Sequence, residues 1–154
     1  MTIDHASTGW TYLGWFLVLA QLSLFALLAW PWVSLVVSYP GLVLAAAGMI
    51  VGLWTLLHNR IGNFNVHPAP KAEGQLVTSG PYRYVRHPMY SAVLLVAVAA
   101  VCFYQADSRK IGCWLALLLV LWLKSLLEEQ ALSNHFREYA DYARRVGRFV
   151  PRLF

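Results

Sequence analysis

Apolar residues run along this chain in long blocks, and polar residues gather between the second and third blocks and after the last one. No Asp, Glu, Lys or Arg occurs between Asp4 and Arg60. A helix through that run would extend roughly 80 Å at about 1.5 Å per residue. The hydrocarbon core of a bilayer is roughly 30 Å thick, so the run has to cross, turn and cross back. It predicts spans at residues 10–30 and 41–58. Trp10, Tyr12, Trp15, Trp30 and Trp32 stand at the ends of the first span, as interfacial aromatic belts do. Pro31 and the Tyr39-Pro40-Gly41 sequence mark the turn. Gln21 and Ser23 lie within the first span and predict interhelical hydrogen bonds. Gly41, Ala45, Gly48 and Gly52 share closely related faces of the second span, where they would admit a neighbouring helix at close range.

Two further apolar runs, 88–104 and 111–127, are each near the lower length limit for a crossing. The break between them, QADSRK, is short and requires an antiparallel hairpin. From residue 128 the character changes. Leu132, Phe136, Tyr139 and Ala143 recur at helical spacing, which predicts an amphipathic helix continuing from or following the fourth span. With its tail it occupies residues 128–154. Glu128 and Glu129 flank that stripe on opposite sides, so spacing leaves open which of them faces the preceding loop. The pattern as a whole predicts an all-α, polytopic integral membrane protein. It would have about four transmembrane helices, a C-terminal amphipathic helix and a single domain over residues 1–154. The start MTIDHASTGW carries Asp4 and no basic n-region, so no cleaved signal peptide is expected.

Composition agrees with this reading: 59% of the 154 residues are hydrophobic and 12% are charged. The net charge of +5 does not signal nucleic acid, because no exposed basic surface with base-reading groups accompanies it. The cations flank the spans instead. Arg60, Lys71, Arg83, Arg86, Lys124, Arg137, Arg144, Arg145, Arg148 and Arg152 fall on one side, and Arg109 and Lys110 on the other. By the positive-inside rule both termini and the loop at 59–87 are expected in the cytoplasm, with a bacterial inner membrane as the setting. Cys102 and Cys113 lie in apolar runs without disulfide or metal spacing.

Between the second and third spans stands the densest polar, aromatic and basic strip, residues 75–90, QLVTSGPYRYVRHPMY. Pro81 and Pro88 stiffen it and Gly80 supplies a turn. Pro88 suits the first position of the next helix, where its missing N–H is an orphan anyway. Arg86 and His87 then face the positive end of that helix, which disfavours cations. An anionic or polar ligand at that helix start would account for them. The candidate groups are Arg86, His87, Tyr82, Tyr84, Tyr90, Glu128, Glu129, His135 and Tyr139. The five histidines are scattered, with no metal-ligand spacing, nucleophile elbow, phosphate loop or dinucleotide fingerprint. What remains is Arg for an anion, Glu for hydroxyls or an ammonium, and tyrosine faces for a cation. A ligand bearing carboxylate, ribose, ammonium and sulfonium would suit that set.

The string GNFNVHPAPKAEGQLVTSGPYRYVRHPMY, followed by EEQALSNHF, Tyr139, Tyr142 and RRVGRFVP, resembles the isoprenylcysteine carboxyl methyltransferase family. More loosely it is similar to membrane phospholipid N-methyltransferases. The likeness covers about residues 62–151, with both blocks in the expected order. It implies an integral membrane enzyme using S-adenosylmethionine, with a lipophilic acceptor entering from the bilayer. Carried over by position, Gln75, Leu76, Val77, Tyr82, His87 and Tyr90 would contact the cofactor. Arg86 and one of Glu128 and Glu129 would be the polar catalytic groups. No metal is implied. The chain differs from the family pattern at Arg137, where Gly is usual, and at Ala92. Two other readings compete. Membrane sterol reductases using NADPH share the RHP motif, although here it continues as RHPMYSA. A non-catalytic subunit could instead bind anionic membrane lipid through Arg144, Arg145, Arg148 and Arg152.

Overall fold

The computed structural model describes residues 5–31, 34–59 and 76–153, and within these it is all-helical. Helix α1 spans His5–Ala29, α2 Tyr39–His58, α3 Pro88–Phe103, α4 Ser108–His135 and α5 Tyr139–Arg145, with a 3-10 turn at Gly80–Arg83 before α3. Helices α1, α2 and α4 are each long and apolar enough to cross a bilayer, and α3 is a shorter apolar helix. A helix stands at each of the four expected apolar runs. The fourth is longer than its apolar run, because α4 continues through Glu128 and Glu129 to His135 without a break. The C-terminal helical segment is therefore divided. Its first turns extend α4, Phe136 interrupts it in an extended conformation, and α5 resumes at Tyr139. Gln75, Trp32 and the loop at 60–75 lie outside the described residues.

Helix α2 packs along α3, α1 packs along α4, and α3 also meets α4 and α1. The small-residue face of α2 makes its contact possible. A Cβ on Gly48 would come within 2.8 Å of Val96 and 2.9 Å of the Ala92 carbonyl oxygen, so only glycine fits there. The core joins Leu28 of α1, Leu94 and Ala97 of α3, and Leu117 and Leu121 of α4. Tyr12, Trp15 and Trp30 are exposed toward the ends of α1, consistent with an interfacial belt.

The end of the bundle away from the polar strip is closed by a cap in trans. Lys110 is fully buried, and its ammonium donates to the carbonyls of Leu27, Leu28 and Trp30. The Tyr104 hydroxyl donates to the Ala29 carbonyl at 3.2 Å. Four consecutive carbonyls at the end of α1 thus find donors on the α3–α4 connection. That is where the negative end of a helix dipole favours a cation. Lys110, read from sequence as a flanking charge, is a structural cap.

Candidate active site

At the opposite end the strip is held from both sides. The His58 ring, in the last turn of α2, packs against Gly80, and its Nε2 lies 3.0 Å from the Ser79 hydroxyl. Gly80 has φ +58°, and a Cβ there would stand 2.6 Å from that ring, so glycine is required twice over. The buried Pro81 opens the 3-10 turn, and His87 is the N-cap of α3 with Pro88 at its first position, as the Pro spacing predicts. On the other side the C-terminal segment pairs with the strip backbone. Arg86 N–H donates to Gly147 O at 2.8 Å and His87 N–H to Arg148 O at 3.0 Å. The Ser91 hydroxyl donates to Phe149 O at 2.6 Å, and the Tyr142 hydroxyl to Tyr82 O at 2.7 Å.

His87 is buried, with its imidazole between two carboxylates. Nε2 lies 3.0 Å from Glu129 and Nδ1 lies 3.4 Å from Glu128. The question left open by spacing has a two-part answer, since both glutamates face the strip. Consecutive helix positions diverge by about 100°, and the flat ring is inserted into that angle. Glu129 also accepts a two-pronged contact from Arg148, at 2.9 Å from Nε and 2.8 Å from Nη2, and lies 3.3 Å from Arg86 Nε. Glu128 accepts from the Tyr90 hydroxyl at 3.0 Å. The Tyr90 and His87 rings stack at 5.2 Å, and Phe149 packs edge-on against both. Arg148 lies over the face of Trp122 at 4.4 Å. The cations gathered at the positive end of α3 are thus balanced by carboxylates from α4.

Protonation follows from this packing. Burial by itself lowers the His87 pKa, but hydrogen bonds to Glu128 and Glu129 outweigh it, and the net shift is upward. Burial and then Glu128 push the Tyr82 hydroxyl up to about 12, which keeps it a neutral donor. Burial likewise raises Tyr139 and Tyr142.

Of the residues expected from sequence, Arg86, His87, Tyr90, Glu128 and Glu129 are brought together here. Tyr82 borders them through its contact with Tyr142. Leu76 and Val77 are half-buried, and among the described residues no hydrogen bond links them to the cluster. Sequence reasoning missed Arg148, Phe149, Trp122 and Lys124 as members. Arg148 was counted among the tail charges, although it lies in the RRVGRFVP string that carries the family likeness.

Two buried polar atoms of the cluster make no hydrogen bond among the described residues: Arg86 Nε, which has only its ion-pair contact with Glu129, and the Tyr139 hydroxyl. Such atoms are rare in a folded protein and mark where a ligand's polar groups would be satisfied. The arrangement can receive an anionic group at Arg86 and donors at the half-buried Glu128.

The family model described as phospholipid methyltransferase matches residues 36–139. The nickel-cobalt-cadmium resistance protein NccN of Alcaligenes xylosoxydans xylosoxydans is 30% identical over 126 residues, covering 79% of this chain and 53% of that protein. The cobalt-zinc-cadmium resistance protein CzcN of Cupriavidus metallidurans is 32% identical over 124 residues, covering 79% of this chain and 52% of that protein. A probable protein-S-isoprenylcysteine O-methyltransferase of Oryza sativa is 31% identical over 121 residues, covering 75% of this chain and 61% of that protein. The chain spans about half the length of the two resistance proteins. No solved structure matches it. With a match that covers most of the apolar bundle and the whole cluster from Arg86 to Glu129, the chain belongs to the phospholipid methyltransferase family of membrane methyltransferases, which includes the isoprenylcysteine carboxyl methyltransferases.

Proposed function

We propose that this protein transfers a methyl group from S-adenosylmethionine to a lipophilic, membrane-borne acceptor, with carboxylate O-methylation favoured. The observation that carries this reading is the His87 imidazole held between Glu128 and Glu129, beside Arg86 and a Tyr139 hydroxyl that makes no hydrogen bond among the described residues. Those groups fit the cofactor. Glu128 suits its ammonium, and Tyr82, Tyr139 and His87 suit its remaining polar groups. The family resemblance adds Gln75, Leu76 and Val77 to the proposed cofactor contacts. When bound, S-adenosylmethionine supplies an electrophilic methyl on a sulfonium centre.

The chain's own residues supply alignment and exclusion of water. Arg86 orients the acceptor's anionic oxygen, and Phe149 and Trp122 keep that region apolar. A carboxylate acceptor is supported by the state of the two glutamates. Glu129 is engaged by Arg148 and His87, and Glu128 by Tyr90 and His87, so neither is an uncommitted base for stripping a proton from an amine. The acceptor approaches from the bilayer, because the cluster closes one end of an apolar helix bundle. We infer that this end faces the cytoplasm of a bacterial inner membrane. Arg83, Arg86, Arg144, Arg145, Arg148 and Arg152 gather on its side, against Arg109 and Lys110 at the other end.

Purified protein incubated with methyl-labelled S-adenosylmethionine and a lipid extract tests the reading. The expected product is a lipophilic methyl ester that releases labelled methanol in mild alkali. Alkali-stable label in an amine fraction would move the acceptor to the phospholipid amine class. Failure to bind S-adenosylhomocysteine, with NADPH bound instead, would overturn methyl transfer.

A further inference from the structure

Resting on that reading, we propose that Lys124, with Gln21, is the site that selects an acceptor with an anionic oxygen head group. Lys124 is 4% exposed and lies on α4 one turn before Glu128, so it stands on the same face but deeper in the bundle. Its ammonium donates to the side-chain oxygen of Gln21 on α1 at 2.9 Å. It also lies 5.3 Å from the centre of the Tyr90 ring, whose hydroxyl reaches Glu128. The cation is therefore continuous with the cluster and on its membrane side.

An ammonium has three donors, and among the described residues Lys124 makes a single hydrogen bond, to a neutral amide, with the Glu128 carboxylate acting on it through space. A buried cation inside an apolar span is costly, and intramembrane ionisable groups mark substrate sites more often than structural ones. Lys110, which joins the same two helices structurally, spends its donors on three carbonyls at the end of α1, whereas Lys124 meets one amide oxygen. A carboxylate or phosphate oxygen would displace the Gln21 amide, because a bond between two ionised groups is stronger than one to a neutral acceptor. Gln21 is half-buried, and Leu19 and Leu22 of the same helix are exposed, so an apolar surface stands beside the pair. A lipophilic chain can then remain among the exposed leucines while its head group meets Lys124.

Laurate, dodecyl phosphate and the neutral dodecanol serve as probes, titrated into protein in neutral maltoside micelles, with S-adenosylhomocysteine binding measured in parallel. Wild type is expected to bind at least one anionic amphiphile roughly tenfold or more tighter than dodecanol, the loss of a charge-assisted bond being of that size. Preference for laurate alone assigns a carboxylate head group, and preference for dodecyl phosphate assigns a phospholipid-like one. Lys124→Met abolishes the preference, while Lys124→Arg and the surface control Arg145→Gln keep it. Gln21→Glu offers an independent arm, since a carboxylate built beside Lys124 competes with the probe and should also abolish the preference in a stably folded protein. A preference that survives Lys124→Met or Gln21→Glu would overturn the proposal and leave Lys124 as a link between α1 and α4. Loss of S-adenosylhomocysteine binding in wild type would instead count against the methyltransferase reading, and the anion preference would be read separately.

Discussion

Arg148 lays both Nε and Nη2 on the carboxylate of Glu129, at 2.9 and 2.8 Å, and so ties the C-terminal segment to α4. Both side chains are only 13% exposed. Removing Arg148 takes away this two-pronged contact but leaves Glu129 with His87 and Arg86. Arg148→Ala is therefore expected to cost about 1.5–3 kcal/mol of stability, the worth of a charged hydrogen bond, read by denaturation in micelles. Arg148→Lys should recover only part of this, because a point charge cannot reproduce the planar fork. Full recovery by lysine would show that charge alone matters at this contact.

Arg86 and His87 are neighbours with different partners, and their alanine variants should separate. Arg86 donates to Ala143 O at 3.0 Å and turns Nε toward Glu129 at 3.3 Å, whereas His87 is enclosed by Glu128 and Glu129. Arg86→Ala is expected to lower turnover by about ten- to hundredfold, the worth of one charge-assisted hydrogen bond, with a smaller loss of S-adenosylhomocysteine affinity. His87→Ala should weaken S-adenosylhomocysteine binding first. Calorimetry paired with initial rates distinguishes the two, and equal effects on both quantities would refute separate roles.

The upward shift of His87 makes a signed prediction for pH. A histidine whose pKa is higher folded than unfolded contributes stability that is fully present below its unfolded value of about 6.5. That contribution is lost as pH rises through the raised native value. Thermal unfolding midpoints of wild type should fall across this window, and those of His87→Asn should fall less. Parallel curves would mean that His87 does not carry the charge.

Gly80 and Gly112 make a matched pair. Gly80→Ala meets both a left-handed backbone and the His58 ring, so it should cost about 1–2 kcal/mol or more from the backbone alone. It should also displace the strip and weaken S-adenosylhomocysteine binding. Gly112 has nothing within 4 Å of a built Cβ, and its alanine variant should be neutral or stabilising by about 0.5–1 kcal/mol. Far-UV circular dichroism and ligand titration on both variants check this. A Gly80→Ala protein that binds like wild type would show that the turn does not set the strip's position.

The helical bundle was legible in the sequence because insertion is a local matter. Runs free of charge must bury their backbone polar groups within themselves, and Pro88 and the small-residue face of α2 mark a helix start and a packing surface by their own chemistry. The strip and the two glutamates could likewise be singled out as candidates, being polar groups beside apolar blocks. Their assembly could not. That both Glu128 and Glu129 engage His87 depends on how far α4 continues and how it rotates against α3. Phe136 interrupts the amphipathic stripe at a point its periodicity does not mark. Arg148 enters the cluster because the backbone after α5 pairs with Arg86 and His87, a contact across some sixty residues that no spacing encodes. Lys124 and Gln21 meet across 103 residues. Local composition decides which segments enter the membrane. Packing between distant helices, where every buried charge must find a partner, decides which side chains face one another.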